Sequence, residues 1–134
     1  GQTLDSWAGF TPQLLEDCGY GRLDTREVAA NFVKHISLHN RPALDRWVST
    51  LLIFIDEGVA YSNQDLGSML DSEKFNLLNE IARLINNHSV DFGSIQLIIC
   101  GDFLQLRPPA QKDGDLYLFE TELWKRSILN SYEV

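Results

Sequence analysis

Two adjacent carboxylates, Asp56 and Glu57, end the unbroken apolar run Leu51-Leu52-Ile53-Phe54-Ile55. So short a run, rich in Ile and Leu, predicts a strand over 51–55 buried on both faces, as in a parallel sheet. The two acids then stand where the strand leaves the sheet, and in open parallel sheets that carboxyl edge is where ligands bind. An Asp there can hold Mg²⁺, directly or through water, and a neighbouring Glu can polarise an attacking water. That pair suits hydrolysis of a nucleoside triphosphate. The plainer alternative is a strand that ends in two solvated acids.

A second stretch repeats the pattern. Ile95-Gln96-Leu97-Ile98-Ile99-Cys100 predicts another buried strand, and it runs directly into Gly101-Asp102-Phe103-Leu104-Gln105-Leu106-Arg107-Pro108-Pro109. A helical stretch lies between the two strands, so the segment reads as a β-α-β unit with parallel strands and both polar ends on one edge of the sheet. Gln105 both donates and accepts hydrogen bonds, which fits a group that senses a terminal phosphate or its water. Gly101 permits a tight turn, and Pro108-Pro109 stop any regular element from continuing.

The elements that must position these groups follow from periodicity. Phe75, Leu78, Ile81, Ala82 and Ile85 recur at helical spacing, so a helix capped by Asp71 or Ser72 and running to Asn86 forms the crossover, its apolar stripe turned to the core. Asp91–Ser94 reads as the turn that follows. Upstream, Val28, Phe32 and Ile36 predict a helix over 25–36 with Asp24 or Thr25 at its N-cap. After a polar break at His39-Asn40-Arg41-Pro42, Pro42 suits the first turn of a helix over 43–49 whose apolar face carries Leu44, Trp47 and Val48. Arg41 and Arg46 are expected in solvent, and His35, His39 and His88 at the surface. Phe10–Leu23, punctuated by Pro12, Gly19 and Gly21, reads as a loop with at most one helical turn. At the start, Thr3 or Asp5 can cap a short helix.

These residues carry a family resemblance. Ile55-Asp56-Glu57 after an apolar run, Phe92-Gly93-Ser94-Ile95-Gln96-Leu97, and Cys100-Gly101-Asp102-Phe103-Leu104-Gln105-Leu106 resemble motifs two and three of the PIF-one family of DNA helicases, superfamily one and related to RecD. Thr3-Leu4-Asp5-Ser6-Trp7-Ala8-Gly9 is similar to that family's Thr-x-His-Ser-Phe/Trp-Ala-Gly motif, with Asp5 where His is usual. Phe119-Glu120-Thr121-Glu122-Leu123-Trp124-Lys125-Arg126 resembles the segment after motif three. The motifs fall in the family's order over nearly the whole chain.

The resemblance implies an α/β fold, a partial RecA-like P-loop NTPase domain with a parallel sheet flanked by helices, in which residues 1–134 belong to the first motor domain. It implies ATP as substrate and Mg²⁺ as cofactor, with Asp56 holding the metal and Glu57 acting as general base or positioning the water. Gln105 would contact the terminal phosphate and couple it to DNA, while Gly101 and Asp102 shape that loop. Thr3, Ser6 and Trp7 become candidate contacts to single-stranded DNA. Trp7 offers a face for base stacking, with a core anchor as the equal alternative. The implied function is ATP-driven 5′-to-3′ movement on single-stranded DNA and duplex unwinding, in DNA repair, recombination and telomere maintenance. The implied location is intracellular, in nucleus or mitochondrion for a eukaryotic source.

The chain departs from the family pattern at Asp5, at Gly58-Val59 where Ile-Ser is common, and at Arg107 where the first Pro of a pair is usual. It holds no Gly-x-x-x-x-Gly-Lys-Ser/Thr phosphate loop, which in the family precedes the Thr-x-His-Ser motif and is expected before Gly1. These 134 residues alone are therefore expected not to turn over ATP. A catalytically silent helicase remnant and an acidic protein-interaction domain are the alternatives.

Composition sets outer bounds. A length of 134 residues with 44% hydrophobic content suits one folded domain. The net charge of −8 counts against nucleic-acid binding by this segment's overall charge and leaves it to local clusters. No run is long enough to span a bilayer, and the two cysteines, Cys18 and Cys100, read as reduced thiols outside any structural metal site.

Overall fold

The computed structural model describes residues 3–56 and 72–100, together with Leu123. Five helices and two strands follow in order: α1 (Leu4–Ala8), α2 (Pro12–Cys18), α3 (Thr25–His39), α4 (Arg41–Ser49), β1 (Leu52–Asp56), α5 (Ser72–Ile85) and β2 (Gln96–Cys100). β1 and β2 pair in parallel, in the register Leu52 with Gln96 through Asp56 with Cys100. This is the expected β-α-β unit, displaced by one residue at β1, so that Asp56 belongs to the strand itself. Because both strands run the same way, α5 returns antiparallel to them. Its first turn lies toward the carboxyl edge of the sheet.

The core forms where α3 packs along α5, closed by α4 and α2. Val28, Phe32 and Ile36 from α3, Trp47 from α4, and Phe75, Leu77 and Ile81 from α5 are fully buried. The stripe read along α5 is thus a core stripe. Leu123 is helical and buried in the same core.

One helix and two helix ends differ from expectation. α2 occupies half of the stretch read as loop. Thr11 accepts a hydrogen bond from the Leu14 N–H, Pro12 begins the helix and Gly19 ends it. Pro just inside a helix start and Gly just past its end are helix boundaries rather than loop punctuation, and that pairing was the overlooked signal. α3 runs on to His39, and α4 begins at Arg41. The expected polar break shrinks to Asn40, which closes α3 through its backbone N–H to Ile36 and opens α4 through its side-chain oxygen, bonded to the Ala43 N–H. On α4, Val48 lies exposed, and Ala43 takes its place in the core.

β1 is not buried on both faces. Ile53 and, opposite it on β2, Leu97 pack against the core, whereas Leu52 and Phe54 are 50% and 60% exposed. The described helices cover one face of the sheet. An apolar run without alternation fits a strand covered on both faces, and among the described residues only one face of β1 is covered.

The entry to β2 is a strained turn. Phe92, Gly93 and Ser94 all have positive φ, at 57°, 57° and 75°. For a bulky residue such as Phe92 that region is costly and persists only where surroundings over-determine it. They do so here. The Phe92 N–H donates to the buried Asn79 side-chain oxygen at 2.6 Å, and the Phe92 ring packs on Phe75 with centroids 4.9 Å apart. Gly93 lies against the α5 backbone, where an added Cβ would collide with the Ala82 carbonyl. We expect Gly93→Ala to destabilise the domain by about 3 kcal/mol, combining a left-handed backbone penalty with overpacking. The urea midpoint measures it, and a change within about 0.5 kcal/mol would show that the turn relaxes freely.

Candidate functional site

The parallel register settles the relation between the two polar strand ends. Asp56 stands beside Cys100 as the last pair of the ladder, with neighbouring strands about 4.8 Å apart. Both strands end at the same edge, and in sequence Glu57 follows Asp56 and Gly101 follows Cys100. Glu57, Gly101, Asp102 and Gln105, and Arg107 beyond them, lie outside the described residues. Of the residues expected at the nucleotide edge, the Asp56 backbone alone is described. Among the described residues, no three His, Cys, Asp or Glu side chains are grouped as metal ligands, and no helix is long and apolar enough to cross a membrane.

The other candidate residues sit together on α1. Thr3 is its N-cap, accepting from the Ser6 N–H at 3.1 Å, which decides between the two possible caps. Thr3 and Ser6 are exposed. Gly9 ends the helix at φ 87°, its N–H bonded to the Asp5 carbonyl, and an added Cβ there would press on the Ala43 side chain. The closing Gly of this motif is thereby explained, since it needs a left-handed backbone and leaves no room for a side chain. Trp7 is half-buried and packs on Trp47 with ring centroids 4.5 Å apart. It anchors α1 to the core and keeps part of its surface in solvent.

Side chains distant in sequence hold α1 from several directions. Trp47, 1% exposed, donates its indole N–H to the Ala8 carbonyl at 2.9 Å. Arg46, expected in solvent, instead donates its Nε to the Trp7 carbonyl at 2.8 Å and a terminal nitrogen to the Ser6 carbonyl at 3.2 Å. These carbonyls lie in the last turn of α1, where the helix leaves acceptors unsatisfied and a cation is favoured. Arg41 is exposed as expected, paired with Asp45 across one helical turn.

Asp5 is met by Lys74, whose Nζ donates to the Asp5 carboxylate at 3.0 Å. The Lys74 side chain is 3% exposed and that of Asp5 19%. The acid that replaces the family's usual His is therefore answered by a buried cation and does not stand as a bare negative charge on the surface of α1. Lys74, Arg46 and Asn79 were all missed from the sequence. For Lys74 a signal existed, because it falls four residues before Leu78, on the apolar stripe of α5, where a solitary lysine needs a partner. Nothing local marked Arg46.

Cys18 is buried and free of any disulfide. Burial, reinforced by the adjacent Asp17 carboxylate, raises its pKa above the ordinary thiol value, so at neutral pH it is the unreactive thiol. The Cys100 side chain lies outside the described residues.

Comparison with known proteins agrees with this geometry. A family model described as PIF1-like helicase matches residues 27–132. The ATP-dependent DNA helicase PIF1 of Candida albicans is 36% identical over 138 residues, covering 96% of this chain and 13% of that protein. PIF1 of Danio rerio is 38% identical over 136 residues, covering 100% of this chain and 18% of that protein. The ATP-dependent DNA helicase RRM3 of Saccharomyces cerevisiae is 34% identical over 131 residues, covering 96% of this chain and 15% of that protein. The crystal structure of Pif1 helicase from Candida albicans superposes with a TM-score of 0.64 at 33% identity, over 96% of this chain and 24% of that one. The chain thus spans 13% to 18% of the length of these curated relatives. Its α/β architecture is the RecA-like fold in part, and the chain belongs to the PIF1-like helicase family.

Proposed function

We propose that residues 1–134 form the central part of the first motor domain of an ATP-dependent DNA helicase. The observation that carries this reading is the parallel pairing of β1 with β2. It brings Asp56 and Cys100, which Glu57 and Gly101 follow in sequence, to one edge of the sheet, and open α/β sheets bind nucleotides at that edge.

In this reading Asp56 holds Mg²⁺, directly or through water, and the ion neutralises charge on the terminal phosphates when bound. Glu57 accepts a proton from, or orients, the attacking water. Gln105 contacts the terminal phosphate, with Gly101 and Asp102 shaping its loop. Thr3, Ser6 and the solvent-facing part of Trp7 contact single-stranded DNA from α1. The full-length parent moves 5′ to 3′ and unwinds duplexes, in DNA repair, recombination and telomere maintenance, within nucleus or mitochondrion in a eukaryote. Its relatives are named ATP-dependent DNA helicases, which supports the activity class. The phosphate loop needed to cradle ATP is not among these 134 residues, so the segment alone has no ATP turnover in this reading.

The test is ATP hydrolysis by the full-length parent with and without single-stranded DNA, together with unwinding of duplexes bearing a 5′ or a 3′ tail. DNA-stimulated turnover and unwinding from the 5′ tail are expected. A silent parent would overturn the reading in favour of a helicase remnant, to which the replacements at Gly58 and Val59 would then belong.

A further inference from the structure

The ion pair between Asp5 and Lys74 joins two elements that the proposed function uses separately. Asp5 sits in the first turn of α1, between Thr3 and Ser6. Lys74 sits in the first turn of α5, the end of that helix toward the carboxyl edge of the sheet. The residues are 69 positions apart in sequence, and their 3.0 Å contact is sunk in the protein, with Lys74 only 3% exposed.

A surface ion pair contributes little because solvent screens it and both side chains wander. A buried one behaves differently. Loss of one partner leaves a charge in a poor dielectric, so the pair holds a specific distance and direction between the elements that carry it. The remaining ties of α1, from Trp47 and Arg46, come from α4 and grip carbonyls of its last turn. Lys74 is a tie from α5, and it grips the first turn. Together the two sets fix both ends of a five-residue helix too short to hold its own geometry.

We propose that Lys74 is a positioning residue for DNA engagement: through Asp5 it sets where α1 presents Thr3, Ser6 and Trp7 relative to the nucleotide edge. This rests on the reading of α1 as the DNA-facing element. Lys74 does not itself touch DNA or nucleotide in this account. Its action is exerted through α1.

The experiment uses the full-length parent and the variants Lys74→Met, Asp5→Asn and the double variant. The DNA concentration for half-maximal stimulation of ATP hydrolysis is read beside the KM for ATP and the thermal midpoint. Each single variant is expected to raise the half-maximal DNA concentration by about tenfold, within the range of positioning effects, with the KM for ATP unchanged. The double variant is expected to be no worse than the poorer single, since the Asp5–Lys74 pair is already lost in either single. Half-saturation by DNA that stays at the wild-type value, a matched rise in the KM for ATP, or effects that multiply in the double variant would each overturn the proposal. Should Lys74→Met not fold, Asp5→Asn carries the test, being isosteric and less deeply buried. A wild-type parent without DNA stimulation would be a failure of the helicase reading itself, visible before any variant is compared, and the proposal would fall with it.

Discussion

Glu57→Gln in the full-length parent should abolish DNA-stimulated ATP turnover while leaving nucleotide binding intact. Glu57 immediately follows Asp56, the last residue of β1, which pairs with Cys100, the residue before Gly101. Replacing the carboxylate by an amide keeps size and hydrogen-bonding reach but removes the base. A general base or water-positioning acid accounts for about 10²- to 10⁴-fold in rate, and kcat should fall by that factor. Because the substitution removes an interaction made in the transition state, the KM for ATP should change little. Steady-state hydrolysis beside equilibrium binding of a nucleotide analogue separates the two quantities. A variant that keeps more than about a tenth of wild-type kcat would show that another group handles the water, and Glu57 would then be a solvated strand-end acid. A variant that loses nucleotide binding as well would report a folding or metal-site defect rather than a chemical one.

The largest stability effect is expected at Trp47. Its side chain is 1% exposed, packs tilted against Trp7 and donates to the Ala8 carbonyl. Trp47→Ala should cost about 3–5 kcal/mol through the lost side-chain burial and the cavity left behind. That is a large share of the roughly 5–15 kcal/mol by which a domain is stable. Trp47→Phe retains much of the apolar contact and removes the N–H donor, leaving the Ala8 carbonyl without it, and should cost about 1–3 kcal/mol. Denaturant midpoints of the two variants measure both figures. The order of the two decides the role of the residue. If Trp47→Phe destabilised as much as Trp47→Ala, the hydrogen bond to α1 rather than the packing would be its main contribution. Under the proposed role of α1 in contacting DNA, either variant should also weaken single-stranded DNA binding, because Trp47 and Arg46 together hold the last turn of α1 in place.

The two sets of residues with candidate roles therefore depend on the scaffold in different ways. The nucleotide edge depends on strand register, which a one-residue slip would destroy by turning every side chain of β1 to the opposite face. That register is pinned by the turn before β2, where Asn79 holds Phe92 in a left-handed conformation costly for it and Gly93 fits closely against the α5 backbone. The α1 surface depends on side chains reaching in from α4 and α5. Both dependences converge on α5, which carries Lys74 at one end and receives the turn at Ala82 near the other.

Much of this was legible in the chain itself. The apolar runs at 51–55 and 95–100 announce strands, though not their exposure on one side, the spacing from Phe75 to Ile85 announces the crossover helix, and these together require a parallel pair with both polar ends on one edge. The ordered motifs around Thr3, Asp56 and Gly101 carry the family resemblance, because short-range patterns of that kind are written in neighbouring residues. What tertiary structure alone decided are the contacts between residues far apart in sequence. The Asp5–Lys74 pair, the grip of Arg46 on the Ser6 and Trp7 carbonyls, the burial of Trp7 against Trp47 and the one-sided exposure of β1 have no local signature. A charged side chain reads the same in sequence whether it faces water or closes a buried ion pair. The difference lies in the dielectric and the partner that the fold brings to it.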